Sequence, residues 1–331
     1  MIDHSGLGRD FSPSLSHGFS KPKGRKFKTA IIMEWKGRQE SDNVQDARGE
    51  RSGGFGGGGG SGGGLGLLMT IGRIFGFKGI LAAVVVGAAL WILGIVDPSM
   101  LLGGAPSPGR TRQVEVSPEE QERFRFVKVV MKETEEVWTE EFTKYGKKYE
   151  LPAMKVYRDR VQTACGAGSA AMGPFYCPRD QVVYIDLSFY DELAQTFKSP
   201  GDFAQAYVIA HEVGHHVQKL LGTSDKVSAM QGRPDYNEYS VRLELQADYY
   251  AGVWAYHSKE NLKLDNSDIE EAMEAANAIG DDMIQKQTQG RVTPKAFTHG
   301  TAAQRMRWFS KGLRSGSLKD GDTFSIPYKN L

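Results

Sequence analysis

The sequence predicts an α+β fold for its C-terminal part, on three observations. Two short β-branched and aromatic runs, Met154–Tyr157 and Gln181–Leu187, stand beside turn residues and read as strands. Four longer stretches space their apolar residues as helices do. The region that holds them, about 210 residues, is long enough to bury a core of its own. Net charge is +1, from 41 basic and 40 acidic residues among 331, which speaks against a nucleic-acid partner.

Taken in chain order, residues 1–78 are expected to be a disordered, Gly-rich tail. They scatter Arg25, Lys26, Lys28, Arg38, Arg48, Arg51 and Arg73, and the stretch 51–66 is nearly all Gly and Ser. Residues 1–32 lack a periodic apolar pattern, so Met1 and Met33 stand as alternative starts. The uncharged segment 79–96, GILAAVVVGAALWILGIV, would span about 27 Å as a helix and is expected to cross a membrane. Positive charge before it favours an inside N-terminus, hence a single-pass protein of the bacterial inner membrane with its C-terminal domain outside the cytoplasm. Cys165 and Cys177, the only cysteines, would form a short-loop disulfide in such a compartment; reduced core thiols are the alternative.

A linker over 97–117 leads to the domain proper, 118–331. Ser117, Pro118 and Glu120 mark a helix start, with Ser117 as N-cap and Glu120 reaching back in a capping box; the helix should run to about Tyr145. The strands at 154–157 and 181–187 enclose a small-residue stretch, 166–176. Helices are then expected over 203–221, 238–257 and 268–287, the first capped by Asp202, with Gln205 at the capping-box position, and ended by Gly222.

The first of these helices carries His211-Glu212-Val213-Gly214-His215. Residues four apart differ by about 40° around a helix axis, so both imidazoles can reach one ion. Neutral imidazole suits zinc, a catalytic zinc takes three protein ligands, and Glu212 is placed as general base. The next helix offers two acids on one face: Glu244 as third ligand, and Asp248 as acceptor for the remaining N–H of a ligand histidine. A third histidine from the motif's own segment is excluded, because Gln218 and Leu221 stand where a glycine and a histidine would be required. His216 points about 100° away from His215 and reads as a solvated or supporting residue; His257 reads as a helix-end residue. Near the C-terminus, Thr298 or Thr301 would cap a final helix through Trp308. His299 and Arg305 are candidates to stabilise a developing oxyanion, with capping or packing the alternative for His299.

The segments GPFYCPRDQVVYIDLSFY, GDFAQAYVIAHEVGHHVQ, SVRLELQADYYAGVW, AIGDD and FTHGTAAQRMRWF, across most of residues 150–310, resemble the bacterial YpfJ-like neutral zinc metallopeptidases. More broadly the arrangement looks like the gluzincins, which implies a zincin-like domain with Glu244 as ligand and Asp248 as partner of a ligand histidine. It is also similar to the CAAX-processing and HtpX-type peptidases, where a His and an Arg six residues later lie near the transition state, as His299 and Arg305 are spaced. Where those relatives have Pro after the His, this chain has Gly300. The resemblance further implies that Ala167–Pro174 forms an edge strand for an extended substrate. The expected protein is thus a membrane-anchored zinc metallopeptidase with one Zn2+ per chain, acting on a peptide or protein and touching the membrane through 79–96. The alternative is a catalytically silent zinc-binding membrane scaffold or chaperone-like protein.

Overall fold

The computed structural model of the protein describes residues 33–50 and 116–331. Helix α1 (Pro118–Lys144) starts where the Ser117 hydroxyl accepts the Glu120 amide at 3.1 Å, with Pro118 in the first turn, where no amide hydrogen is needed. Glu120 does not complete a capping box. Its carboxylate accepts instead from Arg158 Nε at 3.1 Å.

The main sheet has four strands in the order β1 (Val44–Asp46), β2 (Ala153–Tyr157), β6 (Val182–Asp186) and β5 (Phe175–Cys177). The first three are parallel, and β5 runs antiparallel on β6. A separate antiparallel hairpin joins β3 (Arg160–Thr163) to β4 (Gly166–Ser169). Register pairs Met154 with Val183 and Val156 with Ile185, so alternation places these four buried side chains on the face that meets the large core. Tyr157, Tyr184 and Cys177 join Val161 of the hairpin in a smaller cluster.

The remaining helices are α2 (Phe189–Gln195), α3 (Asp202–Leu220), α4 (Thr223–Ser228), α5 (Tyr236–Ser258), α6 (Asn266–Ala278), α7 (Asp281–Gln289) and α8 (Ala302–Ser315). The N-cap of α3 is Gly201; Asp202, expected as the cap, is the first helical residue and accepts the Trp35 indole N–H at 3.1 Å. The single helix expected over 268–287 is two, because the chain turns at Gly280 so close to Ala302 that any side chain there would collide with its backbone. The core lies between the sheet and helices α1, α3 and α5. Trp138, Tyr207, Phe203 and Trp254 are fully buried, and the Phe203 ring stacks on Trp254 at 5.7 Å.

Two expectations are corrected. Residues 33–50 do not behave as part of a disordered tail: Met33 and Trp35 are buried, β1 pairs with β2, and the buried Arg48 guanidinium donates to Asp46 and to the Glu120 carbonyl. The membrane reading is corrected to this extent: among the described residues no helix is long and apolar enough to cross a membrane, so the structure gives no support to the single-pass protein with an exported domain. Of the two longest described helices, α1 carries charged residues along its exposed face and buries the other side in the core, while α5 is buried along most of its length and bears Arg242, Glu244 and Asp248 within it. The segment 79–96 itself, with the rest of 51–115 and residues 1–32, lies outside the described residues.

Candidate metal centre

Helix α3 runs through the core, with Phe203, Ala206, Tyr207, Ala210 and Val217 fully buried, and so presents His211, Glu212 and His215 to a cleft rather than to open solvent. It can approach α5 closely because of Gly214: a Cβ there would sit 3.0 Å from the Ala247 carbonyl oxygen. That approach brings Glu244 across. Its Oε2 lies 3.2 Å from His211 Nε2 and its Oε1 3.5 Å from His215 Nε2, and one ligand atom from each of the three residues falls within 4.8 Å of the others.

The far side of each imidazole is fixed. His211 Nδ1 donates to Asp248 Oδ1 at 2.8 Å, and His215 Nδ1 donates to the amide oxygen of Gln218 at 2.9 Å. Gln218, completely buried, is held in turn by the Leu243 carbonyl and Gln246. With Nδ1 as the donor, the neutral form of each ring carries its lone pair on Nε2, the atom that faces Glu244. Asp248 is itself clamped by Arg305, whose Nε and Nη2 donate to its two oxygens at 2.9 Å each, and by the Tyr207 hydroxyl. Despite burial, Arg305 and His211 hold the Asp248 carboxyl down at about 2. Burial alone would lower the His211 pKa, but Asp248 and Glu244 raise it to about 10.

Residues 33–324 match the family described as "Putative neutral zinc metallopeptidase". The chain belongs to this family. It is 46% identical over 299 residues to the protein YpfJ of Escherichia coli strain K12, covering 88% of this chain and 99% of that one. It is likewise 46% identical over 188 residues to Rv2575 of Mycobacterium tuberculosis strain H37Rv, covering 54% of this chain and 64% of the relative. No solved structure matches it.

The residues present fit the zinc that membership in this metallopeptidase family implies. Two neutral imidazoles and a carboxylate are a zinc donor set, and the site attracts positive charge: Glu244 raises the pKa of both histidines against the effect of burial, joined by Asp248 at His211. Glu212 stands beside the ligands, 8% exposed, and among the described residues its carboxylate makes no hydrogen bond or ion pair. Burial raises its pKa.

The other residues singled out in the sequence fall as follows. His299 lines the same cleft with its side chain half-exposed, held by a cradle the sequence did not reveal. Asp281 Oδ2 accepts the backbone N–H groups of Thr298, His299 and Gly300 at 2.7, 2.7 and 3.1 Å, while its Oδ1 lies 3.2 Å from His299 Nδ1. The Asp281 hydrogen bond, aided by Glu244, raises the His299 pKa. Gly300 has φ 95°, which proline could not adopt. Thr301, not Thr298, caps α8, in a capping box with Gln304. Of the two readings of His216, solvated or supporting, burial removes the first: it is fully buried and, as expected, outside the group of candidate metal ligands. His257 Nε2 donates to the Gly316 carbonyl at 2.8 Å. Cys165 and Cys177 are joined as a disulfide. Of Ala167–Pro174, expected as an edge strand, only the start is strand, and it pairs with β3. The terminal strand of the main sheet that lines the cleft is β5, with residues 171–174 turning beside it.

Proposed function

We propose that the protein is an active peptidase that holds one Zn2+ on His211, His215 and Glu244 and cleaves peptide bonds of a substrate lying extended across the cleft. When bound, zinc supplies a Lewis acid that polarises the scissile carbonyl and acidifies water. Glu212 takes a proton from the attacking water and delivers it to the leaving amine, a role suited to a carboxyl whose pKa burial raises. His299, whose pKa the Asp281 hydrogen bond raises, donates to the oxyanion that develops on the carbonyl. Arg305 acts at one remove, since its guanidinium is committed to Asp248 and holds the partner of His211 in place. The edge of β5 offers backbone groups for pairing with an extended chain, and the cleft of about 610 Å³ is walled by apolar side chains such as Phe175, Phe189, Val208 and Ile284.

The observation that carries this reading is the uncommitted carboxylate of Glu212. A metal-holding scaffold would need the three ligands alone, and burying an unpaired acid beside them would only cost stability. The test is Glu212→Gln, assayed with internally quenched peptides and by metal analysis. Zinc content should match the wild type while hydrolysis disappears. A variant that still turned over peptide would remove Glu212 from the reaction.

A further inference from the structure

We infer that His216 and Tyr176 are a positioning pair that fixes the substrate-pairing edge of the cleft to the metal-holding helix. This rests on the peptidase reading above and adds the means by which strand β5 is held at its working distance from α3.

Strand β5 has three residues and is the last strand of its sheet. So short a strand, bonded on one side to β6, has little stability of its own. Its side chains alternate. Phe175 stacks on Tyr184 with ring centroids 5.1 Å apart and Cys177 is tied to Cys165, so both belong to the cluster on the hairpin side. Tyr176 points the other way, and its hydroxyl lies 2.9 Å from His216 Nδ1.

The chemistry of that contact is set by the other end of the ring. His216 Nε2 lies 2.7 Å from the Glu150 carbonyl oxygen, which can only accept, so Nε2 carries the hydrogen. With the hydrogen on Nε2, Nδ1 is left as the acceptor for the Tyr176 hydroxyl. The Tyr149 and Tyr176 rings meet it edge-on at 5.6 and 5.5 Å. One imidazole, next in sequence to the ligand His215, thus joins α3, the turn before β2, and β5.

The test uses the full zinc-loaded chain and two probes that need no turnover: acetohydroxamate, which reaches the metal alone, and an N-acylated tripeptide hydroxamate, which also extends along β5. Affinities are read by titration calorimetry. Tyr176→Phe deletes only the hydroxyl, and should weaken the tripeptide probe by about tenfold while acetohydroxamate changes by less than about twofold. The same variant should raise KM for a peptide substrate more than it lowers kcat. His216→Leu should weaken the tripeptide probe at least as far, and His216→Gln, which offers both an acceptor and a donor, should recover most of the loss. Should His216→Leu fail to fold, Tyr176→Phe still decides the matter. Equal losses for both probes, or none for either, would overturn the pair. A wild type that bound acetohydroxamate but gained nothing from the peptide would overturn the role of β5, whereas one that held zinc and bound neither probe would also bring down the peptidase reading.

Discussion

Arg305→Met should destabilise the protein far more than its position at the back of the cleft suggests. The substitution keeps an unbranched apolar side chain of similar reach but leaves the Asp248 carboxylate, fully buried, without the guanidinium that meets both of its oxygens at 2.9 Å. Breaking a buried ion pair from one side costs about 3–5 kcal/mol, which for a domain of this size lowers Tm by about 6–20 °C. Removing both charges should cost less, because the desolvated acid is gone: in Asp248→Asn combined with Arg305→Met, the Asn oxygen can still accept the His211 Nδ1–H. The assay is thermal and urea unfolding of the chelator-treated protein for wild type, both single variants and the double variant. The reasoning is refuted if Arg305→Met costs less than about 1 kcal/mol, or if the double variant is as unstable as the two singles summed.

Three further outcomes follow from the geometry. Gly214→Val must push α5 away from α3, since even a Cβ would lie 3.0 Å from the Ala247 oxygen; zinc affinity by titration should fall about tenfold or more, and an unchanged affinity would mean that this contact does not set the position of Glu244. Asp281→Asn removes the main cause of the raised His299 pKa, so the alkaline limb of the pH–rate profile should move to lower pH while zinc content stays the same. Burial, with Asp268 and Asp202 nearby, raises Glu271 to about 7 in the folded protein from an ordinary 4.5. The native state therefore keeps this proton where the unfolded chain has lost it, and the stability tied to this group is full below about pH 4.5 and is lost as pH rises through about 7. Urea midpoints near about pH 5 and about pH 8 should differ less for Glu271→Gln than for wild type.

What could be read in the sequence was local. His211, His215, Glu244 and Asp248 follow from spacings of four within two helices, because helix geometry alone decides which side chains share a face. The Ser117 start of α1 and the strands β2 and β6 carry local turn and propensity signals. What escaped depends on distant partners. Gln218 looks like an ordinary helix residue until Leu243 and Gln246 close over it, and Asp281 is one acid among many until the chain brings residues 298–300 to its carboxylate. The break between α6 and α7 is decided by contact with Ala302, and no residue before Gly280 announces it. Whether His216 is solvated or supporting was not legible, because angle around a helix tells where a side chain points, not what covers it; Tyr149 and Tyr176 do that from elsewhere in the chain.

The strand at 44–46 changes how this molecule can be divided. Because residues 47–115 separate β1 from Val116, a fragment beginning at α1 would carry all three proposed metal ligands and yet lack an outer strand of the main sheet, together with the Trp35 indole that binds the start of α3. Its β2 would then show an unpaired edge, open to pairing with another copy. Conversely, cutting the chain anywhere within 51–115 need not part the two pieces, since β1, Arg48 and the Lys155–Glu50 ion pair all cross the cut. A fragment that keeps the whole main sheet therefore has to include residues 33–50.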